Sequence, residues 1–294
     1  MLRVALTHDV DRTKKTYQYI THSIAGLLKF DFNPISRSIC QILRGENPYW
    51  GFDKIIDIEM TFNVRSTFFF LNESISFNLF SPKNWQLSLG RYNINEPALY
   101  EIIQFLDRNG WEIGLHGSYN SFKDENLLRN EKITLERIVG KKIVGIRQHY
   151  LNLNKDSWEK QRNVGLLYDS SWGFNNKLGY KDDKYLPFYP FNDAFTVFPL
   201  VIMDISLKPV QRIIDQLDYL IDLTEKENGI LVVNWHTNYF DESEFPEFSR
   251  TYISIIEKCL ERSVAIKTLS GWYEELNGNG KFSELDEDSK KTTI

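Results

Sequence analysis

The sequence predicts an α/β fold whose parallel sheet curls into a barrel. Short apolar runs rich in Val, Ile, Leu and Phe recur along the chain, as in strands that are covered on both faces. Amphipathic stretches with a period near 3.6 residues separate these runs. Strands that alternate with helices build βα units and a parallel sheet. The strand candidates number about eight, which suits a barrel better than a narrow open sheet.

The elements follow from these patterns in chain order. Strands are predicted at residues 2–6, 64–71, 111–115, 143–146, 165–168, 195–198, 230–235 and 264–266. Helices with a clear apolar face are predicted at residues 97–108, 209–225 and 248–262. Residues 12–62 are interpreted as a helical insertion after the first strand. We expect one domain over residues 1–276 and a disordered tail over residues 277–294, which are polar, glycine-broken and charged.

Composition excludes several classes of function. The chain has 294 residues, 35 Lys and Arg, 40 Asp and Glu, and a formal net charge of −5. This balance argues against a nucleic-acid partner and against a polybasic membrane contact. Cys40 and Cys259 are too few for a disulfide framework or a cysteine zinc site. No run approaches the roughly 18 apolar residues of a membrane helix, and the start does not fit a signal peptide, so we expect a cytoplasmic location.

Polar residues follow the carboxyl ends of the predicted strands, and in a parallel barrel those ends converge on one face. Asp9 and Asp11 point to the same side of an extended strand, where two carboxylates repel unless a cation lies between them or one is protonated. Asp11, His116 and a further histidine would form a ligand set for Zn²⁺ or another first-row divalent ion. Such an ion lowers the pKa of a bound water to about 7. The polar residues at the strand ends are His8, Asp9, Asp11, His116, Arg147, His149, Tyr150, Asp169 and His236.

Six short motifs at these strand ends come in the order of one family. They are residues 7–11 (THDVD), 66–69 (STFF), 116–118 (HGS), 147–150 (RQHY), 168–169 (YD) and 235–236 (WH). Together they resemble the polysaccharide deacetylase family, the NodB homology domain of carbohydrate esterase family 4, over nearly the whole body of the chain. The resemblance implies a distorted (β/α)7-8 barrel, here with the helical insertion after strand one. It also implies a divalent metal, with Zn²⁺ as the expected ion.

The resemblance assigns a base and two metal ligands. Asp9 resembles the general base, and Arg147 resembles the arginine that orients it. Asp11 resembles the metal-ligating aspartate, and His116 resembles the first metal histidine.

The resemblance also assigns the acid side of the reaction. The backbone N–H of Tyr150 would hold the oxyanion together with the metal. His236 resembles the general acid that protonates the leaving amine, and Asp169 would tune it.

The sequence departs from the family pattern at the metal site. The second metal histidine of the family, four residues after the first, is replaced by Asn120, and the residue before Tyr150 is His149 rather than Pro. We therefore expect His149 to supply the missing imidazole. Weak binding by Asn120, an inward turn of His8, or no metal at all stay open as alternatives.

Aromatic side chains near the motifs are candidates for stacking on a sugar. Tyr49, Trp50 and Trp172 are the preferred ones, because each lies in a loop near a motif. Trp235 and Tyr239 are further candidates.

The resulting hypothesis is a metal-dependent hydrolase that removes an N-acetyl group from an amino sugar, in a glycan or a glycan precursor for surface polysaccharide. Two alternatives stay open. One is a metal-free C–N hydrolase acting on a small non-sugar amide, and the other is a catalytically inactive sugar-binding module. The sequence leaves the sugar, the acyl group and the oligomeric state undecided.

Overall fold

A computed structural model describes residues 1–278 of the chain, and one sheet of nine strands forms within that range. The strands are β1 (Leu2–Val10), β2 (Thr67–Leu71), β3 (Glu112–Gly117), β4 (Gly145–Gln148), β5 (Tyr168–Asp169), β6 (Thr196–Val197), β7 (Leu200–Met203), β8 (Leu231–Asn234) and β9 (Val264–Ile266). Their order is β6-β5-β4-β3-β2-β1-β8-β7, and β9 pairs with β1. The ladders between these strands are parallel. Over residues 1–278 no ladder joins β6 to β7, so the sheet is a curled half-barrel.

Helices alternate with these strands along the chain. They are α1 (Gln18–Leu28), α2 (Asn33–Arg44), α3 (Phe52–Thr61), α4 (Pro82–Ser88), α5 (Pro97–Arg108), α6 (Glu125–Val139), α7 (Ser157–Asn163), α8 (Arg212–Lys226), α9 (Phe248–Leu260) and α10 (Leu269–Asn277). The predicted α/β class and the distorted barrel are confirmed. The insertion after β1 contains the three helices α1, α2 and α3. Asn277, the first residue of the predicted tail, ends α10, and residues 279–294 lie outside the described range.

The sequence prediction missed one strand. It ended a strand at Phe198, whereas the chain passes Pro199 and continues as β7. Proline has no N–H to donate to a ladder, so it divides one apolar run into two short strands with different neighbours. β6 pairs with β5 and β7 pairs with β8, which places them at opposite edges of the sheet.

Alternating residues of each strand enter two different layers. Leu6 of β1 and Phe68 of β2 belong to the large cluster packed under the helices. Ala5 and Phe69 belong to a smaller cluster inside the curl, which Trp272 of α10 joins. The polar residues Thr7 and Asp9 follow Ala5 on the inner side, so β1 itself directs them into the half-barrel. Over residues 1–278, no helix is both long and apolar enough to cross a membrane.

Candidate active site

The carboxyl ends of the inner strands surround a cavity of about 210 Å³. Six of the predicted site residues line it, namely Asp9, Asp11, His116, His149, Tyr150 and His236. Arg147 lies beneath the cavity, fully buried. The convergence of parallel strand ends therefore brings together residues that are up to 227 positions apart in the sequence, as Asp9 and His236 are.

Asp9 is held by two donors inside the half-barrel. Nη1 of Arg147 donates to its Oδ1 at 3.0 Å, and Nδ2 of Asn234 donates to its Oδ2 at 2.8 Å. Burial raises the pKa of Asp9, but the charge of Arg147, followed by those of His116 and His236, brings the net pKa below its ordinary value. Asp9 is thus an ionised carboxylate with a fixed orientation, as a proton acceptor requires.

Arg147 is fixed in turn by its own acceptors. Its Nε donates to the carbonyl oxygen of Ser170 at 3.0 Å, and its Nη1 also reaches Oγ1 of Thr7 at 2.7 Å. The guanidinium lies 4.6 Å from the ring centre of Phe69. A buried guanidinium with paired donors is rigid, so it holds the carboxylate of Asp9 at one position and in one charge state.

Asp11, His116 and His149 bring their ligand atoms within 4.8 Å of one another. Nε2 of His116 lies 3.1 Å from Oδ1 of Asp11, and Nε2 of His149 lies 3.6 Å from Oδ2. A tetrahedral ion about 2.1 Å from each ligand atom would separate them by about 3.4 Å, which is close to both distances. The three side chains have the types and the spacing of a zinc ligand set.

Unpaired atoms in this cluster test whether a cation fits there. Oδ1 of Asp11 and Nδ1 of His149 are buried without a hydrogen-bond partner. Nδ1 of His116 lies 2.8 Å from the carbonyl oxygen of Arg147, which must accept its proton, so Nε2 is the nitrogen that would ligate an ion, and it faces Asp11. A cation between Nε2 and Oδ1 of Asp11 would give the unpaired Oδ1 a partner. The residues present fit a divalent metal.

The position of His149 follows from the strand register. His116 pairs with Arg147 across β3 and β4, so the residue two positions later lies beside His116 at the same edge. The two imidazole centres are 5.2 Å apart. Burial lowers the pKa of His149, but the carboxylates of Asp11 and Glu73 raise it to about 9. An imidazole from the neighbouring strand end thus occupies the place where we expected it.

The sequence analysis missed Glu73, which approaches the other nitrogen of His149. Its Oε2 lies 3.9 Å from Nδ1 of His149 and accepts the backbone N–H of Tyr119 at 2.9 Å. Burial raises the pKa of Glu73, but the nearby imidazole of His149 and the backbone N–H groups of Tyr119 and Ile75 lower it overall. Glu73 follows the end of β2 by two residues, so the strand-end rule that found the other groups would also have found it.

His236 is oriented by a carboxylate that the sequence analysis also missed. Its Nδ1 lies 2.8 Å from Oδ1 of Asp204, and its backbone N–H donates to Oδ2 at 2.6 Å. Nε2 lies 3.7 Å from Oδ2 of Asp11, at the cavity. Burial lowers the pKa of His236, but Asp204, followed by Asp11 and Asp9, raises it to about 10. His236 therefore carries a proton at neutral pH and presents it to the cavity.

Two solved structures match this architecture over nearly their full length. One is a protein from Mycobacterium smegmatis that is assigned as a polysaccharide deacetylase. It is 18% identical, with a TM-score of 0.58 and coverage of 94% of this chain and 90% of that chain. The other is a protein from Pseudomonas aeruginosa PAO1 with the same assignment. It is 13% identical, with a TM-score of 0.58 and coverage of 94% and 91%.

The chain has the polysaccharide deacetylase fold. The resemblance read from the six motifs is confirmed at this level. No family model matches the sequence, and no curated protein matches it. The likeness therefore lies in the fold and in the order of the strand-end motifs.

Within this deacetylase fold, the predicted role of Asp169 is wrong. Its carboxylate accepts hydrogen bonds from Ser171 at 2.6 and 2.8 Å and from Gln161 at 3.0 Å. These contacts fix the turn after β5, and the partner of His236 is Asp204. The error follows from the missed strand β7, because Asp204 comes directly after that strand.

The described structure does not favour two other candidates for the third metal ligand. His8 points away from the cavity, because neighbouring residues of β1 face opposite layers. Its Nδ1 and Nε2 bind the carbonyl oxygen of Trp235 and the carboxylate of Glu59. Asn120 is not among the described residues that line the cavity.

The preferred sugar-stacking residues lie elsewhere in the molecule. Trp50 packs against Phe52 with ring centres 4.8 Å apart, and it lines a separate surface pocket. Trp172 packs on Trp158 at 5.6 Å and lies under Lys181. A loop near a motif in sequence thus need not reach the cavity.

Two tyrosines line the cavity instead. Tyr239, which the sequence analysis placed among the further candidates, is one, and its ring centre lies 5.7 Å from that of His236. Tyr150 is the other, and its ring centre lies 4.6 Å from that of His149. The backbone of Tyr150 is left-handed, with φ of 60°. Such a conformation in a bulky residue is rare and clusters at functional sites. Tyr49 and Trp235 are buried in the core.

Proposed function

We propose that this protein is a metal-dependent hydrolase that removes an N-acetyl group from an amino sugar. One observation carries the proposal: a fixed carboxylate and a fixed, protonated imidazole line the same cavity as an Asp-His-His ligand set. Acyl transfer to water needs a proton acceptor, a proton donor and stabilisation of an oxyanion. Asp9, His236 and the metal ligand set supply these functions.

Asp11, His116 and His149 would hold the ion, and we propose Zn²⁺. When bound, such an ion supplies a Lewis acid for the amide carbonyl and lowers the pKa of a water. Three protein ligands and an adjoining cavity leave an open position, as catalytic zinc sites require. Glu73, close to Nδ1 of His149, has the place of the outer carboxylate that orients a ligating imidazole.

Asp9 is proposed as the general base. It accepts a proton from the attacking water while a bond forms between the water oxygen and the amide carbon. Arg147 and Asn234 act as positioning residues, because each holds one oxygen of this carboxylate. The backbone N–H of Tyr150 is proposed to donate to the oxyanion.

His236 is proposed as the general acid. Its protonated Nε2 faces the cavity, and it donates the proton that the amide nitrogen needs when the C–N bond breaks. Asp204 keeps the imidazole protonated and fixes its orientation. The products are acetate and an amino sugar. We propose a glycan or a glycan precursor of surface polysaccharide as the substrate, with Tyr150 and Tyr239 as the aromatic faces beside the sugar.

The test is acetate release from oligomers of N-acetylglucosamine, combined with metal content by mass spectrometry. Protein is purified without chelator or metal-affinity tag and dialysed against zinc. Wild type is expected to hold about one zinc per chain and to release acetate. His116→Ala and His149→Ala are expected to lose both. Asn120→Ala is the matched control, because this residue does not line the cavity, and it should keep both.

Each of the other outcomes would support a different interpretation of the site. Acetate release without bound metal would leave the metal-free amide hydrolase. Metal and sugar binding without acetate release would leave the inactive binding module. Metal retained in His149→Ala but lost in Asn120→Ala would move the third ligand to Asn120.

A further inference from the structure

The hairpin of α1 and α2, residues 18–44, exposes many large apolar side chains. On α1 the exposed side chains are Ile20, Ile24, Leu27 and Leu28. Their spacing of four, three and one residues places them on one face of the helix. That face therefore meets solvent rather than the core, although α1 and α2 pack against each other.

The turn and the second helix extend this surface. Phe30 is 87% exposed and Phe32 is 63% exposed, and both lie in or beside the turn. On α2, Ile39, Ile42 and Leu43 again share one face and are exposed. Nine of the 24 exposed large hydrophobic side chains within residues 1–278 lie between positions 20 and 43. Single exposed apolar residues are ordinary, but so dense a group within one hairpin points to an interaction surface.

The charge of this segment opposes that of the chain. Residues 18–44 contain three cationic side chains, Lys29, Arg37 and Arg44, but only one acidic residue, Asp31, which gives +2. Since the whole chain has a net charge of −5, the remaining residues carry −7. Lys29 lies in the turn of the hairpin, and Arg37 and Arg44 lie on α2. Arg37 lies 3.9 Å from Glu244, and Arg44 lies 3.7 Å from Glu46. The whole-chain balance, which argued against a membrane contact, conceals this local excess of cations.

We propose that the α1–α2 hairpin docks on the surface of an anionic phospholipid bilayer. Its apolar side chains would enter the interfacial region, and Lys29, Arg37 and Arg44 would meet the lipid phosphates. The helices have 11 and 12 residues, so they are too short to span the roughly 30 Å hydrocarbon core and would lie in its surface. Charge complementarity favours this occupant. A two-fold contact with a second copy would oppose two cationic surfaces.

The docking surface and the active-site cavity share a segment. Arg12 lines the cavity, and Lys15, three residues later, lines a pocket along the hairpin. The charged residues that share this pocket with Lys15 are Lys29, Asp31, Arg37 and Glu244. The insertion thus begins at the cavity and leads into the hairpin. A substrate carried on a lipid would then meet the cavity at the membrane surface.

Co-sedimentation of the full chain with vesicles tests the docking. One set of vesicles is pure phosphatidylcholine, and the other contains equal parts of phosphatidylcholine and phosphatidylglycerol. We expect binding to the anionic set. Leu28→Ser with Phe32→Ser should lower the partition coefficient by about tenfold or more, since two large apolar contacts are lost. Lys29→Gln with Arg44→Gln should lower it by about 25-fold, with its effect confined to anionic vesicles.

Tyr219→Ser with Leu260→Ser is the matched control, because it removes two exposed apolar side chains from α8 and α9. It should bind as wild type does, and circular dichroism should show every variant folded. The proposal is overturned if wild type does not bind anionic vesicles, or if the hairpin and control variants lose binding equally. A concentration-dependent dimer that Leu28→Ser with Phe32→Ser abolishes, without vesicle binding, would assign the surface to a second copy. Vesicle binding is independent of acetate release, so this result is separate from that of the proposed function.

Discussion

Two histidine–carboxylate pairs within residues 1–278 have nearly equal lengths but different surroundings. In the core, Nε2 of His8 lies 2.9 Å from Oε1 of Glu59. At the cavity, Nδ1 of His236 lies 2.8 Å from Oδ1 of Asp204. The pair distance alone does not distinguish a structural histidine from a catalytic one.

The second ring nitrogen makes the difference. In His8 it binds the carbonyl oxygen of Trp235 at 2.7 Å, so both nitrogens are used inside the protein. In His236 it faces the cavity near Asp11. A histidine that exchanges protons with a substrate needs one nitrogen fixed and one accessible. Only His236 of these two meets that condition.

The largest effect is expected from a substitution of Asp9, which faces the cavity, whereas its neighbour His8 points to the opposite layer. Asp9→Asn removes the proposed base and should lower kcat for acetate release by about 10³-fold to 10⁴-fold. The amide keeps the shape but leaves the buried guanidinium of Arg147 without its carboxylate partner, so the cost in unfolding free energy should be about 3 kcal/mol. Activity is measured by acetate release and stability by urea denaturation.

The control for this variant is binding. Asp9→Asn should still bind the sugar oligomer in isothermal titration calorimetry. Full activity in Asp9→Asn would contradict its assignment as the base, whatever its stability.

The next effect tests the histidine comparison directly. His236→Gln should lower kcat by about 10²-fold to 10³-fold, since the proton donor is lost. It also leaves the buried carboxylate of Asp204 with poorer pairing, so the cost in unfolding free energy should be about 2 kcal/mol. His8→Gln should affect stability alone. It leaves the buried carboxylate of Glu59 with poorer pairing and should cost about 2 kcal/mol of stability, with kcat unchanged. A loss of activity in folded His8→Gln would contradict the distinction between His8 as a structural residue and His236 as the proton donor.

The same comparison shows what the sequence could predict. A strand exposes successive residues to opposite layers, so Asp9 and His8 were separable once β1 was recognised. His116, His149 and His236 were found because each follows a strand of clear apolar pattern. The carboxyl ends of parallel strands lie at the same edge of a sheet, so these residues can be grouped without knowing the distances between them.

Prediction from the sequence failed where strands are short or divided. Asp204 follows β7, which Pro199 separates from β6, and its place was given to Asp169. Which carboxylate reaches His236 depends on which strand pairs with β8, and no local pattern encodes that pairing. The prediction that Trp172 stacks on a sugar failed for a related reason, since the direction of a loop side chain is set by its tertiary neighbours.

The third prediction tests Asp204, rather than Asp169, as the carboxylate that orients His236. Asp204→Asn removes the charge that keeps His236 protonated and should lower kcat by about tenfold to 100-fold, with KM unchanged. Asp169→Asn is the matched control, because it is equally buried but bonded to Ser171 and Gln161. It should change stability more than kcat. Equal losses of kcat in both folded variants would return Asp169 to the site.

The smallest effect on activity concerns a third histidine–carboxylate pair, in which His22 and Glu244 approach to 2.8 Å. Oε2 of Glu244 also accepts from Nζ of Lys15 at 2.7 Å, so the carboxylate ties the insertion to the loop before α9. Burial raises the pKa of Glu244, but hydrogen bonds from His22 and Lys15 lower it to about 2 from an ordinary value of 4.5. A carboxylate with a lowered pKa stabilises the fold fully above its ordinary pKa. That contribution is lost as the pH falls toward 2.

Glu244→Gln should therefore lower the unfolding free energy by about 2 kcal/mol at neutral pH, since hydrogen bonds to a charged group are lost. The difference from wild type should shrink between about pH 4.5 and 2, where wild type itself becomes protonated. Acetate release should be unchanged. Glu46→Gln, at an exposed pair with Arg44, is the control and should cost less than about 1 kcal/mol. A difference in unfolding free energy that does not depend on pH would mean that Glu244 stabilises the fold through packing. The His22–Glu244 pair would then differ from both the His8–Glu59 and the His236–Asp204 pair.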